Sequence, residues 1–292
     1  MAVTIGLAGA GQRATEVHAP SLASCEQARF SGVWAPRPQA AGRLAGSYGV
    51  RAYQRFRDML DDCDAVVFAV PPAAQPELAG AAAERAKAVL VETPIAGDLA
   101  GAEQLAATVA AAGVVSQVAL VWRYAAAVRH FLTGDVPRTH PLGGSGRLVS
   151  AALARGSSAP AWRAEMGVLR SLGPYLIDLL DAALGRVGAV RAHGDRHGWI
   201  GLLLEHSGGR FSEASLLATD AAGSERADVE VFGGGGAADV DCRGAAGQEA
   251  SGTMFREFAQ AVERGVPHEL DVPRGLHLQQ VIEKAEADLL GA

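Results

Sequence analysis

Along the first half of the chain the apolar positions come in short unbroken runs, each followed by a longer stretch of small and polar residues. VTIGLAG (residues 3–9), FSGVWA (30–35), DAVVFAV (64–70), AVLVET (88–93) and VSQVALVW (115–122) read as strands buried on both faces. Helices are expected over 12–23, over 38–49 with Gly49 closing it, and over 56–62, 76–86 and 99–113. Tyr53 falls in a short connection, and Pro71 with Pro72 stops the third long run. Strands alternating with helices predict a parallel sheet covered on both faces, whose ligands bind beyond the carboxyl ends of the strands.

The pattern changes after about Trp122. LGGSGRLVSAALARG (142–156), GAVRAHGD (188–195), WIGLLLEHSG (199–208), FSEASLLAT (211–219) and ADVEVFGG (227–234) are strands joined by glycine-rich turns, and GGGG (233–236) is a hairpin turn. One helix, 174–184, lies among them, and amphipathic helices over 253–265 and 275–290 close the chain. Strands in succession predict a mostly antiparallel sheet, open on one face. The expected fold is α/β: a doubly wound parallel-sheet domain over 1–121 and an α+β domain over 122–292. A length of 292 residues suits two domains.

Composition narrows the function. With 49% hydrophobic and 20% charged residues the chain is globular, and a net charge of -6 offers no basic footprint for nucleic acid. Cys25, Cys63 and Cys242 form no C-x-x-C pair and are expected as reduced thiols. His193 and His197 have helical ligand spacing, but no third donor completes a metal set. The start of the chain has no basic, then apolar, leader pattern, and no uncharged run approaches the roughly 20 residues that span a bilayer. A cytoplasmic protein with a small-molecule ligand, and neither nucleic acid nor membrane as partner, is the expectation.

Gly9, Gly11 and Ala14 form G-x-G-x-x-A directly after the first strand and at the start of a helix. The first glycine allows a tight turn, and the second lets main chain approach a pyrophosphate. The small third residue lets helix and strand pack closely, while the helix start, with Gln12 and Arg13, faces the phosphates. At the end of the second strand a site selective for NAD carries Asp or Glu for the ribose 2′-hydroxyl. Here WAPRP supplies Ala35 and Arg37 and no acid. A guanidinium suits a 2′-phosphate, so NADP(H) is the expected cofactor, with NAD as the alternative. Arg37 is otherwise a solvated loop residue. Val70 and Pro71 follow the third strand, where they contact the nicotinamide side or simply end the strand. Glu92, Thr93 and Pro94 end the fourth, where such proteins carry their chemistry.

Taken in order, GLAGAGQRATEVHAPSL, AVVFAVPPAAQPELAGAAAERAKAVLVETPIA, VWRYAAAVRHF, SLGPYLIDLLDAALG and FREFAQAVERGVPHELDVPRGLHLQQVIE resemble the Gfo/Idh/MocA oxidoreductases, across nearly the whole chain. The resemblance implies an NAD(P)-binding Rossmann domain, a second domain whose open sheet pairs subunits into a homodimer or homotetramer, and a sugar, inositol or polyol substrate. It also implies catalytic residues that this chain lacks. The family's Glu-Lys-Pro is Glu92-Thr93-Pro94 here, and Lys87 is out of register to replace the lysine. The family's Asp, Gly and His, two residues apart, are Ser171, Gly173 and Tyr175.

A carbonyl or alcohol oxygen needs a proton partner, worth typically 10²–10⁴-fold. Tyr175 remains as a phenol that gives a proton more readily than it takes one. Arg123 is the strong cation, for the phenol, for a ligand anion or for a structural ion pair. Asp178 matches a family aspartate and either orients a neighbour or takes part in chemistry. His18, Tyr124 and Trp162 are expected at the ligand: His18 packing near the cofactor, and Trp162, with Arg163 in a loop, stacking on a ring or covering the core. Gln75 is also expected to line the ligand cleft, where many relatives have His, and His206 reads as a sheet residue. The expected activity is reduction of a carbonyl or imine with an altered proton relay. The competing reading is a ligand sensor that keeps the fold without turnover, and a lyase or isomerase comes third.

Overall fold

The computed structural model describes residues 2–151, 161–219 and 225–291. Two compact units emerge: Met1–Val121 with Gly247–Leu276, and Trp122–Ala246 with His277–Ala292.

The first unit is built on β1 (Val3–Ala8), β2 (Ala28–Trp34), β3 (Arg51–Tyr53), β4 (Ala65–Phe68), β5 (Ala88–Val91) and β6 (Ser116–Val118). They lie in the order β3-β2-β1-β4-β5-β6, all parallel. Every residue of β1, β4, β5 and β6 is buried, which is why their sequences are apolar without alternation. Helix ends follow local chemistry. The Asp98 side chain accepts from Gly101 N at 2.8 Å to start Leu99–Ala112, and Gly49 in the left-handed region ends Pro38–Tyr48. The strand order reverses between β1 and β4, so the glycine loop after β1 sits at the switch point where a parallel sheet accepts a ligand.

Four expectations change here. Tyr53 is in a strand, β3, pairing with Trp34. The run 115–122 is strand only to Val118 and then becomes a 3₁₀ turn, Val121–Tyr124. The helix over 12–23 carries a π-helical turn, Ala14–His18. The expected second domain, 122–292, does not keep its penultimate helix, Gln248–Arg264. That segment is tied to β6: Gln117 Nε2 donates to Met254 O at 3.1 Å, and Val118 N donates to Leu270 O at 2.7 Å. A buried amide and an unpaired strand edge need partners, and the returning chain supplies both.

The second unit holds β7 (Pro141–Ser150), β8 (Val187–Gly194), β9 (Trp199–His206), β10 (Arg210–Ala218), β11 (Arg226–Gly233) and β12 (Gly236–Asp241), in the order β12-β11-β7-β10-β9-β8. All neighbours are antiparallel except β7 with β10. The turn at 233–236 joins β11 to β12, a strand whose sequence has too little alternation to announce itself. Residues 152–156 of the expected first strand lie outside the described residues. The helix Ala161–Leu184 packs on one face of the sheet. A Cβ on Gly146 would stand 2.7 Å from Leu176 Cδ1, so glycine lets helix and strand approach. The helical segment is longer than the expected 174–184 and is broken at Gly167 (φ 78°, ψ 176°), where two helices meet; the first of them takes in Trp162 and Arg163, which were expected in a loop. His206 is a buried sheet residue, bonding Gly185 O through Nδ1 and Ser212 Oγ through Nε2, each at 2.7 Å. The other face exposes Trp199, Leu203, Phe211 and Phe232.

Candidate functional site

In the first unit the glycine loop is dictated by its geometry. Gly9 has φ +127°, and a Cβ there would stand 2.3 Å from Ala69 O. Its N–H donates to Trp34 O at 2.7 Å, so β1 turns hard against the ends of β2 and β4. Gly11 is different. A Cβ there meets no atom within 4 Å, so packing does not demand glycine; it leaves backbone open to close approach. Ala14 is fully buried, where a small residue is needed between helix and strand. Val70 is buried and Pro71 exposed at the end of β4. After β2, Ala35 is buried, and Arg37 is exposed; among the described residues only its carbonyl is engaged, by Ala40 N and Ala41 N. Open main chain at Gly11, the first N–H groups of the helix and a free-standing guanidinium are a donor set that fits a dinucleotide phosphate backbone.

The Glu92–Thr93–Pro94 turn after β5 is held from three sides. The amide of Gln75, wholly buried, donates to Glu92 O at 3.0 Å and Pro94 O at 2.9 Å and accepts from Glu92 N at 2.7 Å. Gln75 therefore belongs to the scaffold. The Glu92 carboxylate takes Arg13 Nε at 2.7 Å and His18 Nε2 at 2.6 Å on the same oxygen. Burial pushes this carboxyl up, but the Arg13 guanidinium and the His18 hydrogen bond outweigh it and hold it down at about 2. Arg13, expected at the cofactor, is thus spoken for by Glu92. The π turn brings His18 to this carboxylate, and its ring meets Phe255 edge-on at 5.7 Å. Buried and without hydrogen-bond partners among the described residues are His18 Nδ1 and Thr93 Oγ1.

The second unit gathers the other expected residues. Trp122, Arg123 and Tyr124 form the 3₁₀ turn. Arg123 Nη1 lies 3.3 Å from both oxygens of Asp178, with side-chain exposures of 13% and 1%, so these two groups answer each other. Tyr175, half-buried on the same helix as Asp178, packs its ring on Trp122 at 5.4 Å. Arg129 closes the group, donating to Arg123 O at 2.9 Å and lying over the Tyr124 ring. Ser171 Oγ donates to Arg163 O at 3.3 Å. Trp162 lies before the break at Gly167, in a different helical stretch from Tyr175 and Asp178. Gln12, also expected at the cofactor, is exposed and bonds Glu16 at 3.1 Å. A buried pair absent from the sequence reading is His277 with Asp181, 2.7 Å apart and 96 residues distant in sequence. Nothing in local pattern could join them.

Fold and loop together define a nucleotide-binding protein of the Rossmann class. Residues 3–120 match the family model described as an oxidoreductase family with an NAD-binding Rossmann fold, so over that span the chain is similar to the Gfo/Idh/MocA family. Among solved structures it is similar to scyllo-inositol dehydrogenase from Lactobacillus casei, with 15% identity and TM-score 0.87 over 99% of this chain and 96% of that one. It is similar to GenD2 of gentamicin A biosynthesis, solved with NAD, with 21% identity and TM-score 0.85 over 99% and 94%. UDP-N-acetylglucosamine 3-dehydrogenase GnnA from Acidithiobacillus ferrooxidans matches at 17% identity and TM-score 0.85, over 98% of each chain. Likeness at these identities establishes the fold. No curated protein matches in sequence. No described helix is long and apolar enough to cross a membrane.

Replacing Gly9 by Ala forces a Cβ into Ala69 O at a φ that L-residues rarely adopt, so G9A should lower the unfolding free energy by roughly 2–4 kcal/mol, read as a lower urea midpoint. An unchanged midpoint would refute this account of the loop. Glu92 supplies a pH test. A carboxyl held at about 2 rather than its ordinary 4.5 contributes stability that is complete above pH 4.5 and lost as pH falls towards 2. That contribution is on the order of 3 kcal/mol. The difference in unfolding free energy between wild type and E92Q should therefore shrink across that window; a difference constant with pH would contradict it.

Proposed function

We propose that the protein is an NADP(H)-dependent oxidoreductase that reduces a carbonyl or imine of a small, sugar-like compound. The observation that carries the reading is the glycine loop open at Gly11 beside a second strand that is followed by Arg37 and no acid. The inositol and amino-sugar dehydrogenases of the same fold support a polyol or sugar-like substrate.

The bound nicotinamide would supply the hydride chemistry. In this reading Gly9, Gly11 and the helix start hold the pyrophosphate, and Arg37 holds the 2′-phosphate. Glu92 and Pro94, clamped by Gln75, His18 and Arg13, fix the strand end that Thr93 occupies. Tyr175 is assigned as the proton donor to the carbonyl oxygen. Its neighbour Trp122 fixes the ring, and Arg123, next in sequence and oriented by Asp178, supplies the cation of the group. Tyr124 and Trp162 are assigned to substrate contact.

A second reading, a dinucleotide-binding sensor without turnover, is favoured by one feature: Arg123 and Asp178 satisfy each other, and no lysine or histidine replaces the family's proton carriers. The open sheet face, with Trp199, Leu203 and Phe211 half-exposed or more, supports pairing with a second copy.

Incubation with NADPH and a panel of sugar aldehydes, ketones and cyclic imines, followed by absorbance, separates the readings. Turnover that Y175F abolishes while NADPH binding persists is expected; binding without oxidation by any substrate favours the sensor. R37A should weaken NADPH by about 1.5–3 kcal/mol and leave NADH nearly unchanged. Equal loss for both nucleotides would discard the cofactor assignment. For assembly, F211E with L203E should halve the mass seen by light scattering, and an unaltered mass would remove this face from the interface.

A further inference from the structure

The edge of the first sheet carries more positive charge than Arg37. β2 and β3 end in register, Trp34 beside Tyr53, so the chains leaving them emerge from the same edge. Arg37 lies three residues beyond the end of β2, and Arg55 two residues beyond the end of β3. Aromatic contacts hold these segments together. The Trp34 ring packs on Phe56 at 4.9 Å, and Phe56 meets Phe68 at the end of β4 at 6.3 Å. Arg55 and Arg57 flank Phe56 in sequence, so the Trp34–Phe56 contact brings this stretch of chain to the end of β2.

The charges there are unevenly matched. Arg37 and Arg57 are exposed, and Arg55 is 79% exposed. Arg55 rests on Asp58 through Nε at 3.0 Å and Nη2 at 2.7 Å. The next carboxylates are engaged elsewhere, Asp61 by Arg85 and Asp62 by Arg51. Of Asp58, Asp61 and Asp62, only Asp58 pairs with one of these three guanidiniums, in a chain whose net charge is -6. An exposed ion pair within one helical turn is weak, and a phosphate dianion offered to a fork of donors binds more strongly.

We propose that Arg55 is a second ligand of the 2′-phosphate monoester, opposite Arg37, and that Asp58 holds it in place until the nucleotide displaces that carboxylate. This rests on the NADP(H) reading and adds a specificity residue to it. Arg57 contributes only to the surrounding field.

The test is calorimetric titration with adenosine 2′,5′-bisphosphate and with 5′-AMP, which reads the phosphate contact without turnover. R55A should weaken the bisphosphate about tenfold or more and leave 5′-AMP unchanged. D58N should tighten it a few-fold by freeing the guanidinium and removing an anion. An R55A ratio equal to wild type, with R37A still lowering it, overturns the proposal and spares the cofactor assignment. An R57A effect larger than that of R55A also overturns it. Equal affinity of the wild type for both probes defeats the NADP(H) reading and this proposal with it.

Discussion

One carboxylate oxygen organises the first unit. Glu92 Oε1 accepts from Arg13 and from His18, which lie in the helix after β1, while Glu92 itself directly follows β5. Its own main chain is held by Gln75 from the helix after β4. Three segments that leave the same edge of a parallel sheet are thus fastened to one turn. A buried carboxylate is costly unless paired, and here pairing wins by enough to keep it ionised down to about pH 2. The arrangement gives the strand end a fixed shape before any ligand arrives, as a preorganised site requires.

The two units divide the chemistry differently. In the first, main chain and a few cations offer donors suited to phosphate. In the second, aromatic rings and a shielded Arg123–Asp178 pair are grouped around one half-buried phenol. The side chains of Asp178 and Arg123 are 1% and 13% exposed, so the pair sits largely out of water. That makes the pair a scaffold for Tyr175 and Trp122 as much as a source of charge.

Much of this was legible in the sequence because the signals were local. Unbroken apolar runs revealed β1, β4 and β5, since both faces of those strands are covered. Gly49 marked a helix end through a left-handed backbone geometry that few other residues supply. Gly9, Gly11 and Ala14 could be read because each answers to a short-range constraint. What was missed depended on distant partners. Arg13 was expected to face phosphate, but Glu92, 79 residues away, takes its Nε. Gln75 was expected at the ligand and instead fills three main-chain bonds. The π turn, the return of Gln248–Arg264 to the first unit and the His277–Asp181 pair all arise from tertiary packing, which a window of a dozen residues does not contain. Arg55 was passed over because β3, only three residues long, left no pattern to place it beside β2.

The position of β7 has a consequence for how the chain is made. It lies between β10 and β11, whose residues come some sixty to ninety positions later, and the first unit likewise waits for Gly247–Leu276. During synthesis, neither half can finish its sheet edges until the last part of the polypeptide has left the ribosome. A nascent chain stopped short of residue 247 would leave the edge of β6 bare and the amide of Gln117 without its main-chain acceptor, a species that chaperones and proteases, not ligands, would be first to meet.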